Sequence, residues 1–198
     1  MSRERTSALG LHLSGREARM AGWALAFAAL TGIGALLRVP LFPVPVTMQV
    51  FFVLLAGLLL GPYWGAASQL AYLAMGACGA PFFAAPPHAG PAVLFGPTGG
   101  YLWGFVGGAY LVGMLGRRLA GRSVVRTVAV AFSSSLAGIA VVYLTGTAWL
   151  AVWLGSASAA VGKGALPFII PDLFKAAGAT AVATMESLGR RRKRRHLS

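Results

Sequence analysis

The sequence predicts an all-α membrane protein with six transmembrane helices and both termini in the cytoplasm. Of its 198 residues, 57% are hydrophobic and only 11% are charged, whereas soluble domains carry about 25% charged residues. The apolar residues form runs that prolines, glycines and basic clusters separate. These basic clusters fall in every second connection, as the positive-inside rule requires of cytoplasmic loops.

The placement of the basic residues sets the predicted orientation. A net charge of +13 would indicate nucleic-acid binding if it covered a soluble face. Here every Lys and Arg except Arg38, Lys163 and Lys175 falls in the segments 1–20, 117–126 and 190–195. Because cytoplasmic loops collect Lys and Arg, these segments are predicted to face the cytoplasm and the number of spans to be even.

The predicted spans follow from apolar length and turn residues. The polar segment 1–20 predicts a cytoplasmic leader, and the first apolar run is followed by no small-residue cleavage site, so we interpret it as a span. The second and third spans are shorter than the roughly 20 residues a crossing needs and are separated by a Gly61-Pro62 turn. Such short spans predict helices that end inside the protein and line a cavity. The spans are 21–38, 46–61, 63–79, 98–116, 126–147 and 167–188, which give a membrane domain over 21–188 and a basic cytoplasmic tail over 189–198.

The predicted outer loops, 39–46, 80–97 and 148–166, are unusual because they are almost free of charge. The first two are rich in proline and aromatic residues. Loops usually face water and are polar, so apolar loops stiffened by proline predict a lid packed over a ligand chamber. The alternative is that they rest on the lipid headgroup region.

The last span carries a charged pair in an apolar setting. Asp172 is the only acid between Glu17 and Glu186, and Lys175 follows three positions later, so a helix places both on one face. An ion in the membrane costs several kcal/mol and usually faces a cavity or a partner. A carboxylate only accepts and an ammonium only donates hydrogen bonds, so together they suit a neutral ligand with N–H groups and a carbonyl. The alternative is a structural ion pair that fixes this helix to a neighbour.

Two stripes of small residues predict close helix packing. In the fourth span, Thr98 is a candidate N-cap and Tyr101 could offer a hydroxyl and a ring face to a ligand. Packing alone would explain the glycines that follow in that span at positions 100, 104 and 108. In the first span, Ala24 and Ala28 could pair with a partner helix or pack within the chain.

Other chemistries are not supported by the residue pattern. The segment 162–164, Gly-Lys-Gly, lacks the upstream glycine and the following Ser or Thr of a phosphate-binding loop. The histidines are dispersed and Cys78 is the only cysteine, so we expect no metal site, no cofactor and no catalytic role. The basic tail predicts attachment to anionic lipid, with nucleic-acid binding as an alternative.

Five stretches, in order along the chain, resemble the BioY family, the biotin-binding S-components of energy-coupling factor (ECF) vitamin transporters. The resemblance covers most of residues 21–185. One departure lies in the loop 85–91, where the family often carries a glycine-rich stretch, sometimes with an asparagine; the present chain has no asparagine, and His88 could substitute. The stretches are 44–49, 54–61, 76–84, 96–105, which is the most specific, and 167–175.

The resemblance implies a six-helix S-component fold in the plasma membrane of a prokaryotic-type cell, with an extracellular pocket for biotin as the transported ligand. It implies that Asp172 accepts a ureido N–H of biotin and that Lys175 donates to the ureido oxygen. Tyr101, Phe83 and Phe95 would flank the fused rings, and Thr47 or Gln49 would add polar contacts.

The resemblance also implies partners. A separate transmembrane coupling protein and paired ATPases would drive release, with Ala24 and Ala28 as the docking face. Two alternatives remain open from the residues alone: an S-component for another small vitamin, and a membrane scaffold without transport activity in which the charged pair only joins helices.

Overall fold

The computed structural model describes residues 14–117 and 123–195, with side chains as far as Arg190. In this part of the chain nearly all the secondary structure is helical, and a two-residue antiparallel ladder pairs Arg38 with Thr47 and Val39 with Val46. The elements are α1 (Gly15–Leu36), β1 (Arg38–Val39), β2 (Val46–Thr47), α2 (Gln49–Leu60), α3 (Pro62–Ala77), α4 (Ala92–Phe95), α5 (Gly99–Gly116), α6 (Val124–Leu154), α7 (Ala157–Gly164), a 3-10 turn (Leu166–Phe168) and α8 (Ile169–Arg195).

Helix α1 begins six residues before the predicted span. Ser14 and Glu17 form a capping box, in which Ser14 Oγ accepts from Glu17 N at 3.3 Å and Glu17 Oε2 accepts from Ser14 N at 2.9 Å. These bonds satisfy backbone donors that a helix start leaves free. The predicted boundary between leader and membrane domain at residue 20 therefore falls inside a continuous helix, and residues 1–13 of that leader lie outside the described residues.

Helices α2 and α3 form the predicted short hairpin. Gly61 takes a positive φ of 80°, a conformation that glycine adopts without strain, and Pro62 occupies the first turn of α3. Helix α2 has 12 residues and is therefore about 18 Å long, well short of the roughly 30 Å of membrane hydrocarbon.

The glycine stripe of α5 packs against α6, as predicted. A Cβ added at Gly100, Gly104 or Gly108 would meet atoms of α6, including Trp149 and Val142. Because these glycines have no side chains, the backbones of α5 and α6 approach closely. Thr98 occupies the N-cap position of α5, as predicted, although its side chain makes no capping hydrogen bond.

The predicted outer loop 148–166 is largely helical, which corrects the sequence expectation. Helix α6 continues to Leu154 and stops where Gly155 adopts a left-handed conformation with φ of 64°. Ser156 then caps α7 by accepting a hydrogen bond from Ala159 N at 3.3 Å. Because the segments on both sides of Gly155 are mostly apolar, hydropathy alone did not separate helix from loop.

The motif 167–175 runs from the 3-10 turn into the first turns of α8. Pro171 lies near the start of this helix, where a missing backbone N–H costs nothing. The helix runs on to Arg195, so the predicted boundary between membrane domain and tail at residue 188 also falls inside a helix.

Within the described residues, three helical stretches are long and apolar enough to cross a membrane: Gly15–Leu36, Val124–Leu154 and Ala157–Arg190. Gln49–Leu60 is a shorter apolar helix. The two outer segments that were expected to be loops near the candidate site, 39–46 and 80–97, contain the small β-ladder and the single turn α4. These segments and the helix ends beneath them surround the site.

Candidate functional site

The charged pair is buried and joined directly. Lys175 Nζ lies 2.5 Å from Asp172 Oδ1, and the two residues are 7% and 1% exposed. Their spacing of three residues on α8 brings both side chains to one face, as predicted. The other carboxylate oxygen, Asp172 Oδ2, accepts a hydrogen bond of 2.8 Å from the hydroxyl of Tyr143 on α6. Both oxygens of Asp172 are therefore held in place.

Asp172, Lys175 and Tyr143 face a chamber enclosed between the helices, here called the inner chamber. Its volume, counted as the space open to the centre of a water molecule, is about 50 Å³, several times what a single water needs. Apart from a few polar groups its walls are aliphatic and aromatic. The lining residues are Val44, Pro45, Thr47, Gln49, Val50, Phe83, Ala84, Ala85, Val93, Thr98, Tyr101, Leu102, Phe105, Val142, Tyr143, Phe168, Asp172 and Lys175.

A second polar group of the inner chamber comes from the start of α2. Gln49 Oε1 accepts from Thr47 Oγ1 at 3.0 Å, and Gln49 Nε2 donates to the hydroxyl of Tyr72 at 2.5 Å. Tyr72 in turn donates to the carbonyl of Phe82 at 3.2 Å. This chain of bonds fixes the Gln49 amide, and one N–H of Nε2 remains for a ligand because the group carries two.

Tyr101 contributes its ring to the inner chamber, while its hydroxyl is already used. The hydroxyl donates to the carbonyl of Gly164 at 2.9 Å and so ties α5 to α7. A Cβ at Gly164 or at Gly146 would collide with the Tyr101 side chain. These two glycines therefore make room for the ring, and the hydroxyl donor that sequence reasoning offered to a ligand is engaged within the protein.

Above the inner chamber lies a larger and more open hollow, here called the outer cleft, with a volume of about 490 Å³. The walls of the two cavities share Pro45, Ala84, Ala85, Val93 and Thr98. These residues separate the chamber from the cleft and come from both outer segments and the start of α5. The segments 39–46 and 80–97 thus cover the chamber, which agrees with the lid that their apolar composition predicts.

Arg38 ties the two outer segments together at the edge of the cleft. Its Nη1 donates to the carbonyl of Ala84 and lies 3.1 Å from Nδ1 of His88. His88 has a positive φ of 69°, and its Nδ1 also lies 3.0 Å from the carbonyl of Phe83. His88 therefore belongs to the outer cleft and is not part of the inner chamber wall.

The structure gathers most of the residues that the sequence singled out. Six of them line the inner chamber: Asp172, Lys175, Tyr101, Thr47, Gln49 and Phe83.

Phe95 is not brought to the site. The residue is 64% exposed, and it lines neither the inner chamber nor the outer cleft. Phe95 is the last residue of the single-turn helix α4, whose preceding residues Val93 and Leu94 turn inward.

Ala24 and Ala28 were expected as a docking face, but in the chain they are 5% and 0% exposed. They pack within the bundle, which was the intramolecular alternative. The exposed small residues of α1 lie on another face, at Ala18, Gly22 and Ala26.

Sequence reasoning missed several residues of the inner chamber. Tyr143 is the most important because it contacts Asp172, and its only signal was a hydroxyl in the outer half of an apolar predicted span. Phe105, Val142 and Phe168 complete the apolar wall, and nothing in their local pattern distinguishes them from ordinary core residues.

The arrangement suits binding rather than bond chemistry. Asp172 can accept further hydrogen bonds because each carboxylate oxygen has two lone pairs, and the Lys175 ammonium keeps N–H donors beyond the one directed at Asp172. Enclosure by apolar walls strengthens such polar contacts by lowering the local dielectric. A compact neutral group with both donors and an acceptor, attached to an apolar body, matches these features.

The family comparison covers nearly the whole chain. The model of the BioY family matches residues 5–193. The probable biotin transporter BioY of Pyrococcus horikoshii is 45% identical over 157 residues, which cover 79% of this chain and 89% of that protein. The biotin transporter BioY of Thermotoga maritima is 38% identical with the same coverage, and that of Rhizobium etli is 33% identical over 84% of this chain and 91% of that protein.

A solved structure has the same fold. The crystal structure at 2.1 Å of the S-component for biotin from an ECF-type ABC transporter matches with a TM-score of 0.74, over 87% of this chain and 93% of that chain. The two sequences are 22% identical, so this likeness concerns the fold. From the extent of the family match and the identity to its members, the chain belongs to the BioY family.

Proposed function

We propose that this chain is the substrate-binding S-component of an ECF transporter, which captures biotin in the inner chamber and makes or breaks no bond. The observation that carries the proposal is the buried pair of Asp172 and Lys175, which face one largely apolar chamber. Membership of the BioY family supports biotin as the ligand, because the relatives described above are named biotin transporters.

The N–H groups and the carbonyl of the ureido group of biotin match the hydrogen-bonding capacity that Asp172 and Lys175 have left. Asp172 would accept one ureido N–H on an oxygen lone pair not used by Lys175 or Tyr143. Lys175 would donate to the ureido carbonyl through an N–H not directed at Asp172. The ligand is neutral at this end, so it enters without adding net charge to a buried site, where an unpaired charge would be costly.

The apolar body of biotin would lie against the aromatic walls. The rings of Phe83 and Tyr101, which were expected to flank the ligand, both line the inner chamber, and Phe105 and Phe168 extend the same surface. The spare N–H of Gln49 would add a polar contact at the side of the chamber. Phe95 has no part in this arrangement.

We further propose that the bundle crosses the plasma membrane six times, through α1, α2, α3, α5, α6 and α8. Both termini would then face the cytoplasm and the outer cleft would face the exterior. The short helices α2 and α3 would be accommodated because they are enclosed by α1, α5 and α8 and not by lipid alone. Release of biotin inward would depend on a transmembrane coupling protein and two ATPase subunits.

The test is biotin binding by the purified chain, measured by calorimetry. Hydrogen bonds to charged groups contribute about 1.5–3 kcal/mol each, so Asp172→Asn and Lys175→Met should each weaken biotin binding by roughly 10- to 100-fold. The controls Lys163→Met and Glu186→Gln change similar charges outside the chamber and should bind like the wild type. Failure of the wild type to bind biotin would remove the proposed function, whereas normal binding by both chamber variants would remove only the site.

A second arm tests the partners. Cells that cannot make biotin, and that lack their own uptake system, would express the chain with or without a coupling protein and its ATPases. We expect growth on low biotin to require the ATPases in an active form. Equal growth without them would show that the chain transports alone.

A further inference from the structure

At the opposite end of the bundle from the inner chamber lies another hollow, here called the headgroup recess. It has a volume of about 670 Å³ and lies between the start of α1, the turn that joins α2 to α3, and the end of α5. Leu58, Leu59 and Met20 give it an apolar floor, while Arg16 and Arg117 lie in its walls. The recess shares no lining residue with the inner chamber or the outer cleft.

Unequal helix lengths explain why this recess exists. At 1.5 Å per residue, the 22 residues of α1 and the 18 of α5 extend about 33 and 27 Å, whereas the 12 of α2 extend about 18 Å. The turn after α2 therefore lies deeper in the bundle than the neighbouring ends of α1 and α5. Gly113 of α5 packs against this turn so closely that a Cβ there would collide with the Gly61–Pro62 peptide.

The two arginines reach the recess from different helices, Arg16 from the start of α1 and Arg117 from the end of α5. Arg117 follows Gly113 by four residues, so it lies one helical turn beyond the packed α2–α3 turn. Arg16 precedes Met20 by the same spacing on α1. Each wall thus has a residue at floor level and an arginine one turn nearer the end of the bundle.

Aromatic residues complete the rim. The guanidinium of Arg117 lies 5.3 Å from the centre of the Tyr63 ring, a cation–π contact that limits where the side chain can go. Trp64 also lines the recess. Tyr and Trp side chains concentrate at the level of lipid headgroups, because one part of each is apolar and another is polar.

The charges in the recess favour an anion. Among the described residues, no carboxylate forms an ion pair with Arg16 or Arg117. Among the residues that the structure describes, Glu17 is the one acid in the wall, and its Oε2 already accepts the backbone N–H of Ser14 in the capping box. An apolar floor beside two guanidinium groups that form no ion pair with a described carboxylate matches an amphipathic anion, with acyl chain on the floor and phosphate at the arginines.

We propose that the headgroup recess binds the phosphate of an anionic phospholipid, with Arg16 and Arg117 as its ligands. Arginine suits this role because its planar donors match the geometry of phosphate oxygens. This site is separate from biotin binding and does not depend on it. Its occupant would hold the short α2–α3 hairpin between α1 and α5.

The test is lipid binding by the delipidated full-length chain in detergent, followed by native mass spectrometry with phosphatidylglycerol and with phosphatidylcholine of the same acyl chains. A basic residue near the membrane surface contributes about 1 kcal/mol, so Arg16→Gln and Arg117→Gln should each weaken phosphatidylglycerol binding about fivefold, and the double variant about 25-fold. The matched control is Arg126→Gln. It removes the same charge from the exposed first turn of α6 outside the recess, and it should change binding less than twofold.

Further outcomes decide the proposal. We expect phosphatidylcholine to bind weakly and equally to all variants, and biotin binding to persist in the double variant as a sign of correct folding. An equal loss in Arg126→Gln, or phosphatidylglycerol binding by the double variant at wild-type affinity, would overturn the site. Displacement of the lipid by an equal concentration of glycerol phosphate would overturn the lipid as occupant, because the recess would then recognise the free anion.

Discussion

The hydroxyl of Tyr143 donates to Asp172 Oδ2 at 2.8 Å and joins α6 to α8 beside the inner chamber. Because Lys175 binds the other oxygen at 2.5 Å, the carboxylate is fixed in one orientation before a ligand arrives. Fixing a polar group in advance reduces the entropy that a ligand must overcome on binding.

Tyr143→Phe leaves the ring in place but removes one of the two contacts that orient the Asp172 carboxylate before the ligand binds. It should therefore weaken biotin binding by about 2- to 12-fold, since ordering a side chain on binding costs about 0.5–1.5 kcal/mol. Calorimetry measures the affinity. Tyr110→Phe is the control, because Tyr110 is 39% exposed and lies outside the chamber. A Tyr143→Phe variant with wild-type affinity would contradict the positioning role.

The Asp172–Lys175 pair should show strong coupling in a double-mutant cycle. Each single change, Asp172→Asn or Lys175→Met, leaves one buried charge without its partner, at a cost of about 3–5 kcal/mol in unfolding free energy. The double variant removes both charges and should lose clearly less stability than the sum of the singles. Unfolding in the absence of biotin provides the measurement, and additive losses would mean that the two charges do not interact in the folded protein.

Gly164→Ala should destabilise the protein, because the added Cβ would meet the Tyr101 hydroxyl and Leu150. Overpacking of this kind costs about 1–3 kcal/mol, and the displaced Tyr101 ring should also weaken biotin binding. Gly162→Ala in the same helix meets no atom within 4 Å and should leave the midpoint of thermal unfolding unchanged or slightly raised. If both variants behave alike, the contact between Gly164 and Tyr101 has no energetic role.

Ala28→Leu separates the two interpretations of the first helix. Ala28 is 0% exposed, so a leucine there should lower the stability of the isolated chain by about 1–3 kcal/mol through overpacking. Ala26→Leu, on the exposed face of α1, should leave that stability unchanged. A stable Ala28→Leu chain that has lost only its association with the coupling protein would instead support the docking face expected from the sequence.

Arg38→Gln should make the cover of the inner chamber easier to open. Arg38 donates to the Ala84 carbonyl and contacts His88, so it links the two segments that lie above the chamber. Its loss should increase the dissociation rate of biotin by roughly 10- to 100-fold, since a hydrogen bond from a charged group contributes about 1.5–3 kcal/mol. Stopped-flow chase experiments measure this rate, with Lys163→Gln as a control on the exposed surface. An unchanged dissociation rate would show that this contact does not limit opening.

Much of this protein could be predicted from local sequence. Charge scarcity and apolar runs identified a helical membrane protein, and Gly61-Pro62 located the tight turn. The spacing of Asp172 and Lys175 placed them on one helix face, since helical periodicity is a property of the backbone itself. The glycines of α5 likewise predicted a close helix contact, although their pattern did not identify the partner helix.

Helix ends differed from the prediction where side-chain caps or a turn glycine set them. The capping box of Ser14 and Glu17 extended α1 into the polar leader, and Gly155 with Ser156 divided an apolar stretch into α6 and α7. Hydropathy averages over many residues, so it does not register single residues that start or end a helix.

The sequence by itself determined the class of fold, the position of the charged pair on α8 and the apolar character of the segments that cover the site. Only the tertiary structure decided that Tyr143 meets Asp172, that Gln49 is held by Tyr72, that Phe95 lies outside the chamber and that Ala24 and Ala28 point inward. The reason is physical: the rotation of each helix about its axis is set by simultaneous packing against several neighbours, and contacts between residues far apart in the chain follow from that rotation.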